Sequence, residues 1–267
     1  MVLGAWFQEG FIVHTNEARS TKHEAPVLIT IPRFVECAIQ RRVNRFVVEV
    51  RHGGESKLAH INNTGRLLEL LVKGREAACL PWDGTAGFRK ASYRRTSFRL
   101  FAVREEKEWA LIDTQLQMRA FEKAVEARRV GWLKGYRLVR RNPRLGDGVL
   151  DYLLRKEEEP AELFLETKSA VLREGEFAMY PDCPTMRGQR HVRALTEHAM
   201  RGGKGAICFV GALPGITAFM PSVTGDPVVT TLIKKSWSAG VDLRAIAMHF
   251  DGNGILLDNA NLPVLFP

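Results

Sequence analysis

The apolar residues of this chain fall into short runs before about residue 110 and into helix-spaced stripes after it. Residues 34–41, 45–50, 58–61 and 77–80 are apolar or alternating, and Asn44, His52-Gly53-Gly54, Asn62-Asn63 and Gly65 punctuate them. Residues 93–103 and 109–112 predict a further hairpin around the charged turn 104–108. Short strands with glycine-rich turns predict a small barrel over residues 31–110. Trp82, in the turn 81–84, is placed as a lid over a barrel end. Before the barrel, residues 1–30 read as an extension: an apolar strand or interface segment, then a polar linker, with His14 and His23 in solvent.

From Asp113 the period becomes helical. Leu116, Ala120, Phe121 and Ala124 form one stripe within a helix over 113–130, with Thr114 as the expected cap. Residues 132–139 predict a short strand. Residues 149–154 and 163–166 predict a hairpin whose turn is 156–159, ended by Pro160. A helix then starts at Pro184-Thr185, shows Val192, Leu195 and Ala199 on its apolar face and stops at Gly202-Gly203. Strand 207–210, helix 226–238 and strand 241–248 follow. Strands alternating with helices predict an α/β domain over 111–267, a mixed sheet with helices on both faces.

Composition narrows the class. The chain has 267 residues, enough for two compact domains, and its 45% apolar and 26% charged content are those of a soluble globular protein. The four cysteines are far apart and form no CxxC, which predicts reduced thiols in a cytoplasmic protein. The first residues are apolar but lack a basic start, so no signal peptide is expected, and no apolar run approaches membrane-spanning length. The net charge of +9 is unevenly spread: residues 33–104 carry 15 Lys/Arg against 6 Asp/Glu, and the rest of the chain cancels. A second cluster, 128–144, has 7 basic residues and no acidic one. Such clustering is an electrostatic footprint for a polyanion. Residues 93–100 interleave Tyr93 and Phe98 with Arg94, Arg95 and Arg99. That pattern suits a strand that stacks a base and meets phosphate, and equally one that buries its aromatic side.

The candidate chemistry lies on the 149–169 hairpin. Asp151 falls on its first strand, and Glu166 and Lys168, two apart, share a face at the end of its second. Strand pairing sets the two carboxylates side by side, where they repel unless a cation, Lys168 or a divalent ion, comes between them. Such an arrangement suits a metal-dependent phosphodiesterase: the carboxylates hold Mg²⁺, and the lysine orients water or meets developing negative charge. The same residues would also serve as solvated charges on a surface hairpin. Arg187 and Gln189, near His191 at the head of the next helix, are candidates to reach a scissile phosphate. Three features are set aside. Pro181-Asp182 resembles half of a nuclease signature but follows Glu166 and Lys168. The 201–206 segment lacks the spacing of a phosphate loop. The histidines have no zinc spacing.

Taken together, several ordered stretches resemble the sugar fermentation stimulation protein A family (SfsA). They are residues 40–46, residues 60–67 with Asn62-Asn63-Thr64-Gly65-Arg66, Asp113-Thr114 with Arg119, and Asp151 with Glu166-Thr167-Lys168. The most specific is Tyr180-Pro181-Asp182-Cys183-Pro184-Thr185 with Arg187, Gly188 and His191, and Phe219, Pro221, Asp226 and Gly240-Val241 follow in order. The resemblance implies an N-terminal OB-like barrel and a C-terminal PD-(D/E)xK nuclease-like α/β domain, binding DNA without marked sequence preference. It also implies Asp151 and Glu166 as ligands of Mg²⁺ or Mn²⁺ and Lys168 as catalytic lysine, with Asp182, Thr185, Arg187, Gln189 and His191 on or near the site. Arg41, Arg42, Arg45, Asn63, Thr64, Arg66, Tyr93, Arg94, Arg95 and Arg99 are the expected nucleic-acid contacts. The chain departs from the family where a glutamate usually precedes the hairpin aspartate: residues 135–141 hold no acid. Val149-Leu150 and Met118 replace a small residue with arginine and an asparagine, and the 140–148 loop is longer. Three readings stay open: a metal-dependent nuclease, a non-catalytic DNA-binding regulator of sugar-metabolism genes with a vestigial centre, or a structural or small-molecule sensor protein with no nucleic-acid role.

Overall fold

The computed structural model describes residues 25–82, 95–159 and 161–267. The predicted N-terminal segment with His14 and His23, the Tyr93-Arg94 start of the basic strand, and Pro160 lie outside them. The end of the predicted extension is part of the fold, because β1 (Val27–Thr30) pairs with the last strand of the chain.

Five strands form the barrel: β2 (Val35–Asn44), β3 (Val47–His52), β4 (Glu55–His60), β5 (Glu76–Pro81) and β6 (Phe98–Glu105). β2 pairs with β3, β3 with β4, β4 with β6, β6 with β5 and β5 with β2, so the sheet closes on itself. Closure leaves no bare edge, and alternate side chains fill the interior. Ile39, Val48, Val50, Ala59 and Leu100 are all fully buried there. This is the expected OB-type barrel.

The barrel shares strands with the second half. β6 turns into β7 (Glu108–Leu111), and Trp109 of β7 meets Phe250 of a C-terminal strand. Phe250 packs edge to face on Phe34 and Phe101, with ring centroids 5.3 and 5.0 Å apart, so aromatic burial seals the seam.

Helix α1 (Thr114–Glu126) begins the second half. Its cap is Asp113, not Thr114: Asp113 is extended, and its side chain accepts from the Leu116 N–H at 2.9 Å. The predicted strand 132–139 is split. Gly131–Leu133 makes one 3₁₀ turn, and β8 (Tyr136–Arg141) starts after Gly135, whose φ of +83° redirects the chain. A two-stranded arm follows, β9 (Arg144–Leu145) with β10 (Gly148–Val149), and then β11 (Tyr152–Lys156) and β12 (Glu162–Ala170). A small sheet is built from β13 (Leu172–Glu174), β14 (Phe177–Tyr180) and, after helix α2 (Met186–Met200) and strand β15 (Lys204–Gly211), β16 (Ala218–Pro221). Helix α3 (Pro227–Ser238), β17 (Asp242–Phe250) and β18 (Gly254–Leu262) complete the fold.

The large sheet runs β8-β11-β12-β15-β17, parallel through β12, β15 and β17 and antiparallel at its flanks, with β18 and β1 beyond. Residue alternation along β12 decides what each helix meets. Leu165 pairs with Tyr152, on which Phe121 of α1 packs at 5.7 Å. Glu166 points the other way and meets His191 of α2. Helices therefore cover both faces, as expected for a nuclease-like α/β domain. Among the described residues no helix is long and apolar enough to cross a membrane.

A buried ion pair joins the halves. Arg99 of β6 and Asp113 are 3% and 0% exposed, and the guanidinium donates to both carboxylate oxygens. Arg99 is thus corrected from a nucleic-acid contact to an internal strut. The sequence pattern placed it among surface arginines, but the strand points it at the buried carboxylate of Asp113. Asp113 also accepts from Asn62 Nδ2 at 2.8 Å, and Asn62 Oδ1 accepts the Thr114 N–H at 3.0 Å. Removing one member of a buried pair leaves the other unpaired, so Arg99→Met is expected to lower unfolding free energy by about 3–5 kcal/mol. Urea unfolding measures this; a loss below about 1 kcal/mol, the scale of an exposed pair, would show that the pair is not a strut.

Candidate active site at the domain junction

The register of β11 on β12 brings the predicted carboxylates together. Tyr152 pairs with Leu165, so Asp151, at a bend just before β11 instead of inside the strand, lies opposite Glu166. The Asp151 N–H donates to Glu166 Oε2 at 3.2 Å. Thr167 fixes the Asp151 side chain twice: its N–H and hydroxyl donate to Oδ2 at 2.8 and 2.6 Å. Lys168 Nζ donates to Glu166 Oε1, and His191 Nδ1 lies 2.5 Å from the same oxygen. Glu166, Lys168 and His191 are 3%, 8% and 2% exposed.

Burial sets the electrostatics. It pushes the Asp151 carboxyl above its ordinary value, and the nearby Glu166 charge pushes it further, against the Thr167 hydrogen bonds. Burial also disfavours the Glu166 charge, but Lys168 and His191 outweigh it and hold that carboxyl below its usual range. Lys168 is the converse. Burial acts against its charge, yet Glu166 keeps its ammonium above the ordinary lysine value. One carboxylate is neutralised internally, and the other bears the strain of their proximity.

These groups line a cavity of about 300 Å³ whose walls come from both halves of the molecule. Arg45, Thr64 and Gly65 of the barrel form one side, and Tyr180, Asp182 and Thr185 another. The barrel loop is tied down. Asn63 donates to the Ile112 carbonyl at 3.1 Å, and its Oδ1 accepts the Gly65 N–H at 2.9 Å. Asp182 Oδ2 accepts the Leu67 N–H at 3.0 Å. A Cβ at Gly65 would lie 2.5 Å from that oxygen, so a larger residue here would push the Asp182 carboxylate out of place.

The predicted residues separate by role. Asp151, Glu166, Lys168, Asp182, Thr185 and Arg187 all line the cavity. His191 stands behind Glu166. Gln189 is corrected: its amide donates to Asp226 Oδ2 at 3.1 Å, tying α2 to α3 and not facing a phosphate. Thr185 caps α2 by accepting the Gly188 N–H. Among the barrel residues, Arg41, Arg45, Thr64, Arg66 and Arg95 are exposed. Arg42 and Asn63 are not free contacts. Arg42 donates to the carbonyls of Gly65, Arg66 and Arg45 at 2.5, 2.7 and 3.0 Å, because a loop with inward-facing carbonyls needs a donor. Tyr93 and Arg94 fall outside the described residues. Sequence reasoning gives no role to Thr167 or Tyr180, which it names only within the Glu166–Lys168 and 180–191 stretches.

The donor set fits a hard divalent cation, with limits. Asp151 Oδ1 accepts no hydrogen bond among the described residues, and a raised carboxyl pKa beside a second carboxylate is relieved by a cation. Among the described residues no set of three or more His, Cys, Asp or Glu side chains is gathered as a ligand cluster. The one acid of α1 near this region, Glu122, is engaged by Arg141 at 2.8 and 2.7 Å. Water and substrate oxygens would complete the coordination.

Two family models match the chain: an SfsA N-terminal OB domain over residues 41–112 and a sugar fermentation stimulation protein RE domain over 115–254. A sugar fermentation stimulation protein homolog of Pyrococcus furiosus is 42% identical over 237 residues, covering 89% of this chain and 98% of its own. One from Archaeoglobus fulgidus is 43% identical over 238 residues, covering 89% and 99%. The solved structure of Pyrococcus furiosus SfsA in complex with Ca²⁺ is 41% identical and superposes with a TM-score of 0.82, covering 90% of this chain and 99% of that one.

The tension at Asp151 is measurable without a ligand. Asp151→Asn keeps an oxygen for Thr167 and removes the charge. Because the folded-state pKa is raised, ionisation of Asp151 destabilises the fold at any pH above that value and costs nothing below the ordinary aspartate pKa, about 3.9. The variant is therefore expected to melt higher than the parent at neutral pH in EDTA, and the gain should vanish as pH falls below that range. Equal melting temperatures at neutral pH would show that the carboxylates are not in conflict.

Proposed function

The chain belongs to the sugar fermentation stimulation protein family, and from that footing we propose a DNA-binding protein whose buried Asp151–Glu166–Lys168 centre cleaves phosphodiester bonds with Mg²⁺ or Mn²⁺. The observation that carries this reading is the placement of that centre on the floor of a cavity walled by both the barrel and the α/β domain. The Ca²⁺ complex of the Pyrococcus furiosus relative supports a divalent ion on this fold. We place the working division at 1–30, 31–110 and 111–267. The four cysteines are free thiols, which supports a cytoplasmic setting.

Each residue has a part. Asp151 and Glu166 would hold the cation, which when bound polarises the phosphoryl group and lowers the pKa of its water. Thr167 orients Asp151 through two hydrogen bonds, and His191 orients Glu166 from behind. Lys168 stays protonated against Glu166 and meets the charge that develops on phosphate oxygens. Arg45 and Arg187, both exposed at the cavity, supply phosphate contacts. Exposed Arg41, Arg66 and Arg95 extend the positive surface over the barrel, and contacts to phosphate alone carry no sequence preference.

A second reading is favoured by one observation: of the carboxylates that line the cavity, Glu166 is already neutralised by Lys168 and Asp182 is held by the Leu67 N–H, which leaves Asp151. On that reading the centre is vestigial and the protein is a DNA-binding regulator of sugar-metabolism genes. Labelled DNA incubated with Mg²⁺ or Mn²⁺ beside Lys168→Ala separates the two. Cleavage that falls about 10²–10³-fold in the variant supports the nuclease, on the scale of losing one transition-state donor. Binding without cleavage under either metal supports the regulator. In both cases Arg45→Ala should reduce the slope of log affinity against log salt by about 1, the contribution of one phosphate contact. An unchanged slope would take Arg45 off the DNA surface.

A further inference from the structure

We propose that the strand entering the cavity is single-stranded DNA, and that the barrel loop 63–67 is what excludes the duplex. This deepens the reading of the cavity as a phosphodiester site and rests on it.

Depth is the first argument. Glu166 and Lys168 are nearly buried, and the space above them is about 300 Å³. That is the lower end of pockets that enclose one small molecule, so it admits about one nucleotide. Duplex phosphates lie on the outside of a stiff rod with a persistence length of about 50 nm. Bringing one of them to Lys168 would drive the rod into the wall formed by Thr64 and Gly65.

That wall is not free to swing. Asp182 holds the Leu67 N–H from the opposite domain, Arg42 holds the Gly65 and Arg66 carbonyls, and Asn63 holds the Ile112 carbonyl. A larger residue at Gly65 would push the Asp182 carboxylate out of place. A duplex would have to break all four attachments, whereas a single strand, with rotatable backbone and unpaired bases, passes under the loop. The apolar lining suits a base: Tyr180, Met118 and Met179 face the same cavity as the carboxylates. Outside the mouth, α2 carries exposed Arg187, Arg190 and Arg193 at every third position. They form a track about 9 Å long at 1.5 Å per residue, along which the strand leaves.

Cys183 reports occupancy of this cavity without requiring cleavage. It lines the cavity and is half-buried, whereas Cys37, Cys79 and Cys208 are 4% exposed or less. The experiment follows alkylation of Cys183 by N-ethylmaleimide in Ca²⁺, using mass spectrometry. A single-stranded oligonucleotide and a covalently closed duplex are each added at about ten times the measured dissociation constant. By mass action the single strand is expected to slow modification about tenfold, and the duplex, bound on the outer basic surface, to leave it unchanged. Equal protection by both, or binding of the single strand without protection, would overturn the proposal. Loss of metal-dependent cleavage with protection intact would sink the nuclease reading alone.

Discussion

The carboxylate of Asp113 is the point on which the two halves of this molecule depend. It is fully buried, and Arg99 reaches it from the barrel with two hydrogen bonds. The same carboxylate caps α1 and receives the Asn62 amide. One group therefore sets the start of the helix, the end of the barrel and the position of the Asn62-Asn63-Thr64-Gly65 loop. The loop, so placed, becomes a wall of the cavity over Asp151 and Lys168. A buried pair is weak support for stability in itself, but it can specify geometry.

The site below that wall is built on unequal treatment of two acids. Glu166 has a lysine and a histidine at hand and ionises readily. Asp151 has only hydrogen bonds from Thr167 and carries the cost of its neighbour's charge. Since Lys168 already serves Glu166, an incoming cation gains most at Asp151. On the proposed function, this asymmetry is what would draw a divalent ion to the Asp151–Glu166 pair, and it would also limit that attraction.

Much of this was legible in the sequence for reasons of period and punctuation. The barrel strands alternate and are separated by glycine and asparagine, so their number and place were readable from residues 34–80. The 151–168 hairpin was readable because Glu166 and Lys168 are two apart on a strand. What escaped notice depended on partners distant in the chain. β1 is a strand because it pairs with β18, and β18 because it pairs with β1 and β17; the polar second half of β18 gives little local sign of it. Arg42 and Arg99 look like surface cations by spacing, and only the arrival of loop carbonyls and of Asp113 makes them internal. Gln189 looked aimed at a phosphate because it is near His191. On the helix it faces Asp226, whose carboxylate also caps α3.

The β6–β7 hairpin ends just before the point at which the two family matches divide the chain, the first closing at residue 112 and the second opening at 115. Arg99 lies within the first match and Asp113 in the gap between the two, and Trp109 lends its ring to a seam with Phe250. The halves are consequently poor candidates for dissection into stand-alone modules. A fragment beginning at α1 forfeits the guanidinium that makes its capping aspartate tolerable. A fragment ending after the barrel retains the Arg99 guanidinium but loses the Asp113 carboxylate that takes two of its hydrogen bonds. Swapping either half for that of a relative would succeed only if the exchange point lay outside residues 98–113, so that the arginine and the aspartate travelled together.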